Sequence, residues 1–192
     1  MSIILRPDLD MEIMPLITLA AGVACATTID MFYGVTTSLK WPNDIYLGEK
    51  KLAGILTETA PYSYEQRKIP YVVVGIGINV NSQLEYFSPP LRSIVTSLIT
   101  ECGKVLQPDL LIEPIVTALE YNASCLDKEK DHILSLWRQK DYLYGKKICW
   151  YRPDASIIQG VGHGIDSGGR YKIMDLGNCV HKVLGGRLQL MD

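Results

Sequence analysis

The chain has 192 residues, 47% of them hydrophobic and 21% charged, which is ordinary globular usage and excludes a disordered chain. Lys and Arg number 19 against 21 Asp and Glu, and a net charge of −2 lacks the basic excess of a chain that lives on a phosphate backbone, so a nucleic-acid binder is not expected. The five cysteines are irregularly spaced and contain no Cys-x-x-Cys pair, which argues against a disulfide framework or a zinc site and for free thiols in a reducing cytoplasm.

Taken in chain order, Met1 to Pro7 (MSIILRP) is an apolar run ended by proline and reads as a strand. Ile13 to Ile29 carries no charge over 17 residues, the lower limit for a membrane span. It holds Pro15 and three threonines, follows Asp8, Asp10 and Glu12, and has no basic flank to orient it. A buried core helix from Asp10 to about Phe32 is therefore expected, its acids in the first turn favoured by the helix dipole, and no membrane span. Residues 38–60 hold two apolar runs around Gly48-Glu49-Lys50-Lys51, a hairpin signal. Residues 61–70 are a polar loop, and YVVVGIGINVN (71–81) is a β-branched central strand expected to be buried on both faces.

Pro89-Pro90 marks a turn, with a short helix near Ser97 after it. Apolar positions from Leu111 to Trp137 then recur at helical spacing, as one long helix or two broken near Lys128. From Gly145 onward come five short runs separated by Gly or Asp, suggesting a small β-barrel of SH3-like size. The composition shift divides the chain into 1–143 and 144–192.

Three motifs could carry chemistry. Lys40-Trp41-Pro42-Asn43-Asp44 gathers a cation, an amide and a carboxylate at one turn, and would suit a phosphate on Lys40 and Mg²⁺ on Asp44, or serve only as a polar turn with a buried tryptophan. In Lys50-Lys51-Leu52-Ala53-Gly54 the adjacent lysines should point to opposite faces, Lys51 sharing a face with Ala53 and Lys50 with Leu52, while Gly54 would let a ligand approach the backbone. Exposed hairpin lysines are the plainer alternative. Gly75-Ile76-Gly77-Ile78-Asn79-Val80-Asn81 bares one face of a strand, for a flat ligand or for a closely packed helix, and fails the dinucleotide fingerprint because Val80 stands where a glycine is needed. The histidines His132, His163 and His181 are far apart with no metal-ligand spacing between them, and read as solvated or core residues.

In this order and spacing, Lys-Trp-Pro-Asn-Asp, Lys-Leu-Ala-Gly-Ile-Leu-x-Glu and Gly-Ile-Gly-Ile-Asn-Val-Asn resemble the biotin protein ligase family. Val95-Thr96-Ser97-Leu98, GHGIDSG at 162–168 and GGRLQL at 185–190 extend the resemblance over essentially the whole chain. It implies an α/β (α+β) catalytic domain over 1–143, with a mixed sheet like that of class II aminoacyl-tRNA synthetases, and an SH3-like β-barrel over 144–192. It further implies a cytoplasmic enzyme that activates biotin with ATP and Mg²⁺ to biotinyl-5′-AMP. The biotinyl group then passes to a lysine of biotin carboxyl carrier protein. By motif, Lys51, Asp44 and Lys40 would be catalytic. Lys51, Leu52 and Gly54 would bind biotin, Asn43, Asn79 and Asn81 would serve the nucleotide, and Asp44 would hold Mg²⁺.

Two departures stand out. The family's Gly-Arg-Gly-Arg-x-Gly-Arg loop, expected upstream of the first strand, is not in this sequence, and Arg187 and Met191 replace the acid and the arginine of the family's terminal motif. The alternative is therefore a truncated, non-catalytic homologue that binds biotin or a carrier domain without adenylating. A lipoate–protein ligase fits the motifs less well. A sheet lacking strands would leave an open edge, so either a homodimer over that edge or poor solubility is expected, with no DNA-binding repressor role.

Overall fold

The computed structural model describes residues 1–64 and 68–191. It is an α+β arrangement of two antiparallel five-stranded sheets with helices against the first. The first sheet contains β1 (Ser2–Leu5), β2 (Thr37–Lys40), β3 (Asp44–Leu47), β4 (Lys50–Thr59) and β5 (Val72–Ile78), in the order β1-β5-β4-β3-β2. The polar loop expected over 61–70 falls partly on residues 65–67, outside the described residues. The mixed sheet takes the form of antiparallel ladders, with parallel pairing confined among the described residues to isolated bridges such as Leu39 with Asp141 and Lys51 with Val95.

Helix α1 (Leu16–Tyr33) is long and apolar enough to cross a membrane, by length and composition alone. Here 67% of it is buried in the protein, because its apolar residues run all the way round and every side finds a partner. Leu39 and Ile55 of the sheet lie against Gly22 on one side, and α4 (Asp109–Ser124) and α5 (Lys130–Gln139) pack on the others. The expected start at Asp10 is corrected: residues 11–15 form turns, Pro15 is the N-cap, and the first turn of α1 contains no acid. The helix ends at Gly34, whose left-handed φ of 65° suits glycine and lets its N–H bond Asp30 O. Helices α2 (Pro89–Arg92) and α3 (Leu98–Cys102) are one turn each, and the break near Lys128 is real, so the later helical stretch is two helices.

The second sheet contains β6 (Lys147–Tyr151), β7 (Ile157–Ile165), β8 (Tyr171–Asp175), β9 (Val180–Lys182) and β10 (Arg187–Leu190), in the order β10-β6-β7-β8-β9. All five runs read as strands are strands. The barrel is corrected to a sheet with β10 and β9 at its edges, since no ladder among the described residues joins those two.

Two features lock the second sheet to the first. Leu39 N donates to Lys140 O at 2.7 Å and Tyr142 N to Leu39 O at 2.9 Å, so the segment before β6 extends the edge of β2. Trp41 Nε1 donates to Gly169 O at 2.9 Å, and a side chain on Gly169 would strike Leu16 of α1 at 2.4 Å.

The expectation that β5 is buried on both faces is also corrected. Val72, Val74 and Ile76 are buried against the helices, whereas Gly77 on the opposite face is exposed. The first sheet thus has one face sealed by α1 and one face open.

Candidate functional site

The open face is organised by register. The turn Trp41-Pro42-Asn43, with a cis Trp41–Pro42 peptide, closes the β2–β3 hairpin and makes Lys40 and Asp44 cross-strand partners. Asp44 is in turn opposite Gly54 of β4, and Gly54 is opposite Gly77 of β5. Cross-strand partners project to the same side of a sheet, so Lys40, Asp44, Gly54 and Gly77 form one row over four strands. Half of that row is charged and half is bare backbone.

Lys51 reaches the row through a β-bulge. The β3–β4 register slips between Ile45 and Tyr46, so that Ile45 faces Ala53 while Tyr46 faces Lys51 and Leu52 is the extra residue. A bulge breaks the alternation of side chains. Lys51 therefore does not share a face with Ala53, as strict alternation predicts. Ala53 and Leu52 are both in the core, and the Lys51 chain lies over Gly54, where an added Cβ would meet Nζ at 3.3 Å and Asp44 Oδ1 at 3.6 Å. Lys51 Nζ and Asp44 Oδ1 are 2.5 Å apart. Their side chains are 40% and 22% exposed, and a pair this wet contributes about 1 kcal/mol at most, so its effect is to aim the ammonium.

Lys40 Nζ donates to Tyr46 Oη at 3.2 Å and lies 5.3 Å from the ring centre. Burial pulls its pKa below the ordinary lysine value. Asp44 works against that shift, and the positive charges of Lys51 and Arg187 add to it. Arg187, on β10, thus brings the second sheet's charge to the same corner. Tyr46 is stacked on Tyr142 with centroids 4.5 Å apart, and Tyr142 Oη donates to Glu49 Oε2 at 2.5 Å. This tyrosine pair fixes the Lys40 side of the row. The sequence reading missed it, although Tyr46 lies two residues beyond Asp44 and so on its face.

The backbone of Lys51 is held from the other side. Lys51 N donates to Ile94 O at 2.8 Å and Thr96 N to Lys51 O at 2.9 Å, so Val95-Thr96-Ser97-Leu98 lies alongside β4 as a short parallel strip. Thr96 and Ser97 are buried, and their hydroxyls are satisfied by Glu101 Oε1 at 2.5 Å and Thr100 Oγ1 at 2.8 Å. Asn79 Nδ2 donates to Thr96 O at 3.0 Å. Asn81 both donates to Leu106 O at 2.8 Å and accepts from Leu106 N at 3.0 Å. Asn43 Nδ2 donates to Ile55 O at 2.6 Å and ties its turn to β4. The amide groups of all three asparagines are therefore used as fasteners around the row.

Lys51, Leu52, Ala53, Gly54, Gly77, Ile78, Asn79 and Val95 line one cleft of about 360 Å³, within the size range of small-molecule sites. The larger cavity, about 700 Å³ between α1 and α4, is lined mainly by apolar groups and contains none of the motif residues. Chemistry rather than volume selects the smaller one. The donors around Asp44 do not fit a divalent ion held by the protein. Its Oδ1 is already on an ammonium, and Lys40 is the cross-strand neighbour.

Residues 1–79 match the family model for the Biotin/lipoate A/B protein ligase family. The bifunctional ligase/repressor BirA of Bacillus subtilis is 41% identical over 120 residues, which cover 62% of this chain and 36% of that protein. The biotin–[acetyl-CoA-carboxylase] ligase of Mycobacterium tuberculosis is 28% identical over 178 residues, covering 86% of this chain and 62% of that one. This chain therefore spans less than two thirds of the length of these curated relatives. Among solved structures, the biotin protein ligase from Aquifex aeolicus in complex with biotin and ATP superposes with a TM-score of 0.83 at 22% identity, covering 99% of this chain and 76% of that one. Residues 1–79 thus match the biotin/lipoate A/B protein ligase family model, and the chain as a whole has the fold of the solved biotin protein ligase.

Proposed function

We propose that this chain is a biotin–protein ligase that converts biotin and ATP to biotinyl-5′-AMP and passes the biotinyl group to a lysine of a carboxylase's biotin carboxyl carrier protein. The observation that carries the reading is the Lys40–Asp44–Gly54–Gly77 row with the Lys51 ammonium laid across its bare half.

In the first step a biotin carboxylate oxygen attacks the α-phosphorus of ATP, the bond to the β-phosphate breaks, and pyrophosphate leaves. Negative charge accumulates on the α-phosphate, and a fixed ammonium there stabilises the transition state more than the ground state. Lys51 supplies that charge, aimed by Asp44. Lys40 adds a second positive group, and Arg187 approaches from β10. The backbone at Leu52 and Gly54 meets the biotin ring system, the Leu52 side chain being in the core. Asn43, Asn79 and Asn81 shape the nucleotide side of the cleft through the backbone they fasten. Mg²⁺, if bound with ATP, would neutralise the leaving pyrophosphate, and Asp44, engaged with Lys51, would not be the residue to hold it. In the second step the acceptor amine attacks the acyl carbon, an amide forms, AMP leaves, and the amine proton goes to solvent.

The test is to mix the chain with ATP, Mg²⁺ and biotin and look for biotinyl-5′-AMP by mass spectrometry. Its formation by the native chain and its loss in Lys51→Ala support the reading. Biotin binding with no adenylate would make the chain a non-catalytic homologue, and equal adenylate from Lys51→Ala would remove Lys51 from the mechanism.

A further inference from the structure

The β8–β9 hairpin lies outside the site described above and contains a second group of reactive side chains. Asp175 N donates to Cys179 O at 3.0 Å, so Asp175 and Cys179 face each other where the hairpin turns. His181 follows Cys179 by two residues and is the cross-strand partner of Ile173, itself two residues before Asp175. With side chains alternating along each strand, the period of two places Asp175, Cys179 and His181 on one face of the hairpin. One ligand-type atom from each, a carboxylate oxygen, the thiol sulfur and a ring nitrogen, lies within 4.8 Å of the other two.

The carboxylate is oriented in a particular way. Its Oδ1 accepts N–H bonds from Gly177 at 2.8 Å and Cys179 at 2.9 Å, which pins the group and turns Oδ2 toward the imidazole. Oδ2 and His181 Nε2 are 2.6 Å apart, sharing a proton. Backbone donors that hold one oxygen of a carboxylate and leave the other free form the outer support that metal-binding carboxylates commonly have. Cys179 is exposed, and Asp175 and His181 are partly exposed, so an ion has a path from solvent.

We propose that Asp175, Cys179 and His181 form a binding site for one borderline divalent transition ion of the Zn²⁺ or Co²⁺ class. A thiolate and an imidazole select such an ion over Mg²⁺ or Ca²⁺, which take oxygen ligands. Three protein ligands leave a fourth tetrahedral position for water. Tetrahedral bonds of about 2.0 to 2.3 Å put the ligand atoms roughly 3.3 to 3.7 Å from one another, so Asp175 Oδ2 and His181 Nε2 open from 2.6 Å to admit the ion, while side-chain rotation of Cys179 at an exposed turn adjusts its sulfur. Binding releases the thiol proton and the proton between Asp175 and His181 to the buffer. Thiolate and carboxylate then neutralise the ion's two charges. The bound ion clips the hairpin at the edge of the second sheet. The spacing Asp-x-x-x-Cys-x-His contains no cysteine pair and no histidine pair, so a search of the sequence for zinc motifs passes over it.

The test is titration of the metal-stripped chain with CoCl₂ under reducing conditions. The expected result is a thiolate-to-cobalt charge-transfer band that saturates at one equivalent and bleaches on addition of ZnSO₄. Cys179→Ser should abolish the band, and His181→Ala should weaken binding by at least ~10-fold. Cys102→Ser and Cys125→Ser, at the other partly accessible thiols, should leave it unchanged. Circular dichroism of each variant establishes that it is folded. No saturable band in the native chain, or a band that survives in folded Cys179→Ser, would overturn the proposal and leave His181–Asp175 as a structural bridge across the hairpin. Neither result bears on adenylate formation.

Discussion

The two sheets of this protein both use glycine on strands, for opposite reasons. In the second sheet an added Cβ has no room: at Gly160 it would lie 2.3 Å from Met174 O, and at Gly162 2.1 Å from Leu143 O. Real side chains never approach backbone that closely, so these glycines are demanded by the chain's own packing. In the first sheet the space is free. At Gly77 the nearest atom to an added Cβ is Gly54 O at 4.0 Å, and at Gly75 it is Leu56 O at 3.6 Å. Nothing in the fold requires those positions to be bare. A glycine that packing does not explain, beside two lysines and a carboxylate, is the mark of a surface kept clear for something else. The helix-packing alternative for these glycines fails because the sheet's helix lies on the other face.

The largest effect expected from this contrast is on chemistry at the open face. Lys51→Ala removes a fixed charge from a charge-developing site and should lower adenylate formation by ~10²–10³-fold with little change in melting temperature. Single-turnover kinetics would show it. A loss of fold instead would mean that Lys51 is structural. Next is Gly162→Ala in the second sheet, where neither Leu143 O nor the Gly162 backbone can yield cheaply. A destabilisation of about 3 kcal/mol is expected, read from urea unfolding.

The joint between the sheets gives a comparable, pH-dependent effect. Asp141 Oδ1 accepts from Leu143 N at 2.9 Å and from Tyr171 Oη of β8 at 3.2 Å, while its buried Oδ2 has no hydrogen-bond partner. Burial pushes its pKa from 3.8 up to about 6. The Leu143 and Tyr171 bonds and the charge of Lys146 oppose the shift without cancelling it. The folded state therefore prefers the protonated acid. That contribution is complete below the unfolded value and is lost as the pH rises through about 6, at a cost of up to about 3 kcal/mol at neutrality. Asp141→Asn should flatten the fall in unfolding free energy between pH 4 and pH 7. An unchanged slope would show that other groups cause it. The smallest effect should come from Tyr46→Phe. It deletes the bond to Lys40 Nζ, keeps the stack on Tyr142, and should cost less than ~10-fold in rate.

Much of this was legible in the sequence because it is periodic or punctuated. The β3–β4 hairpin, the helical stretch (one helix or two broken near Lys128) and the five strands after Gly145 follow from alternation, turn residues and helical spacing, whereas β2 was not foreseen. The row Lys40, Asp44, Gly54 and Gly77 lay inside the three motifs, but its being one row did not follow from them, since register between strands is a tertiary property. The face of Lys51 was misread because a bulge inserts one residue and shifts the alternation. The first-turn acids failed because Pro15 delays the helix until the acids are behind it. The asparagines carried the right residue type and spacing for ligand contacts, yet their amides bond backbone. Residue type alone does not reveal which partner a buried amide finds.

The central claim is that the open face of the first sheet is kept bare for a ligand, and Gly77→Leu tests it most directly. The substitution fills the patch, and its Cβ would meet no atom nearer than Gly54 O at 4.0 Å. Biotin titrated calorimetrically into native and variant chains should bind the native chain and lose at least ~10-fold in affinity in Gly77→Leu, with melting temperatures nearly equal. Biotin binding to Gly77→Leu with native affinity would contradict the claim and leave those glycines unexplained.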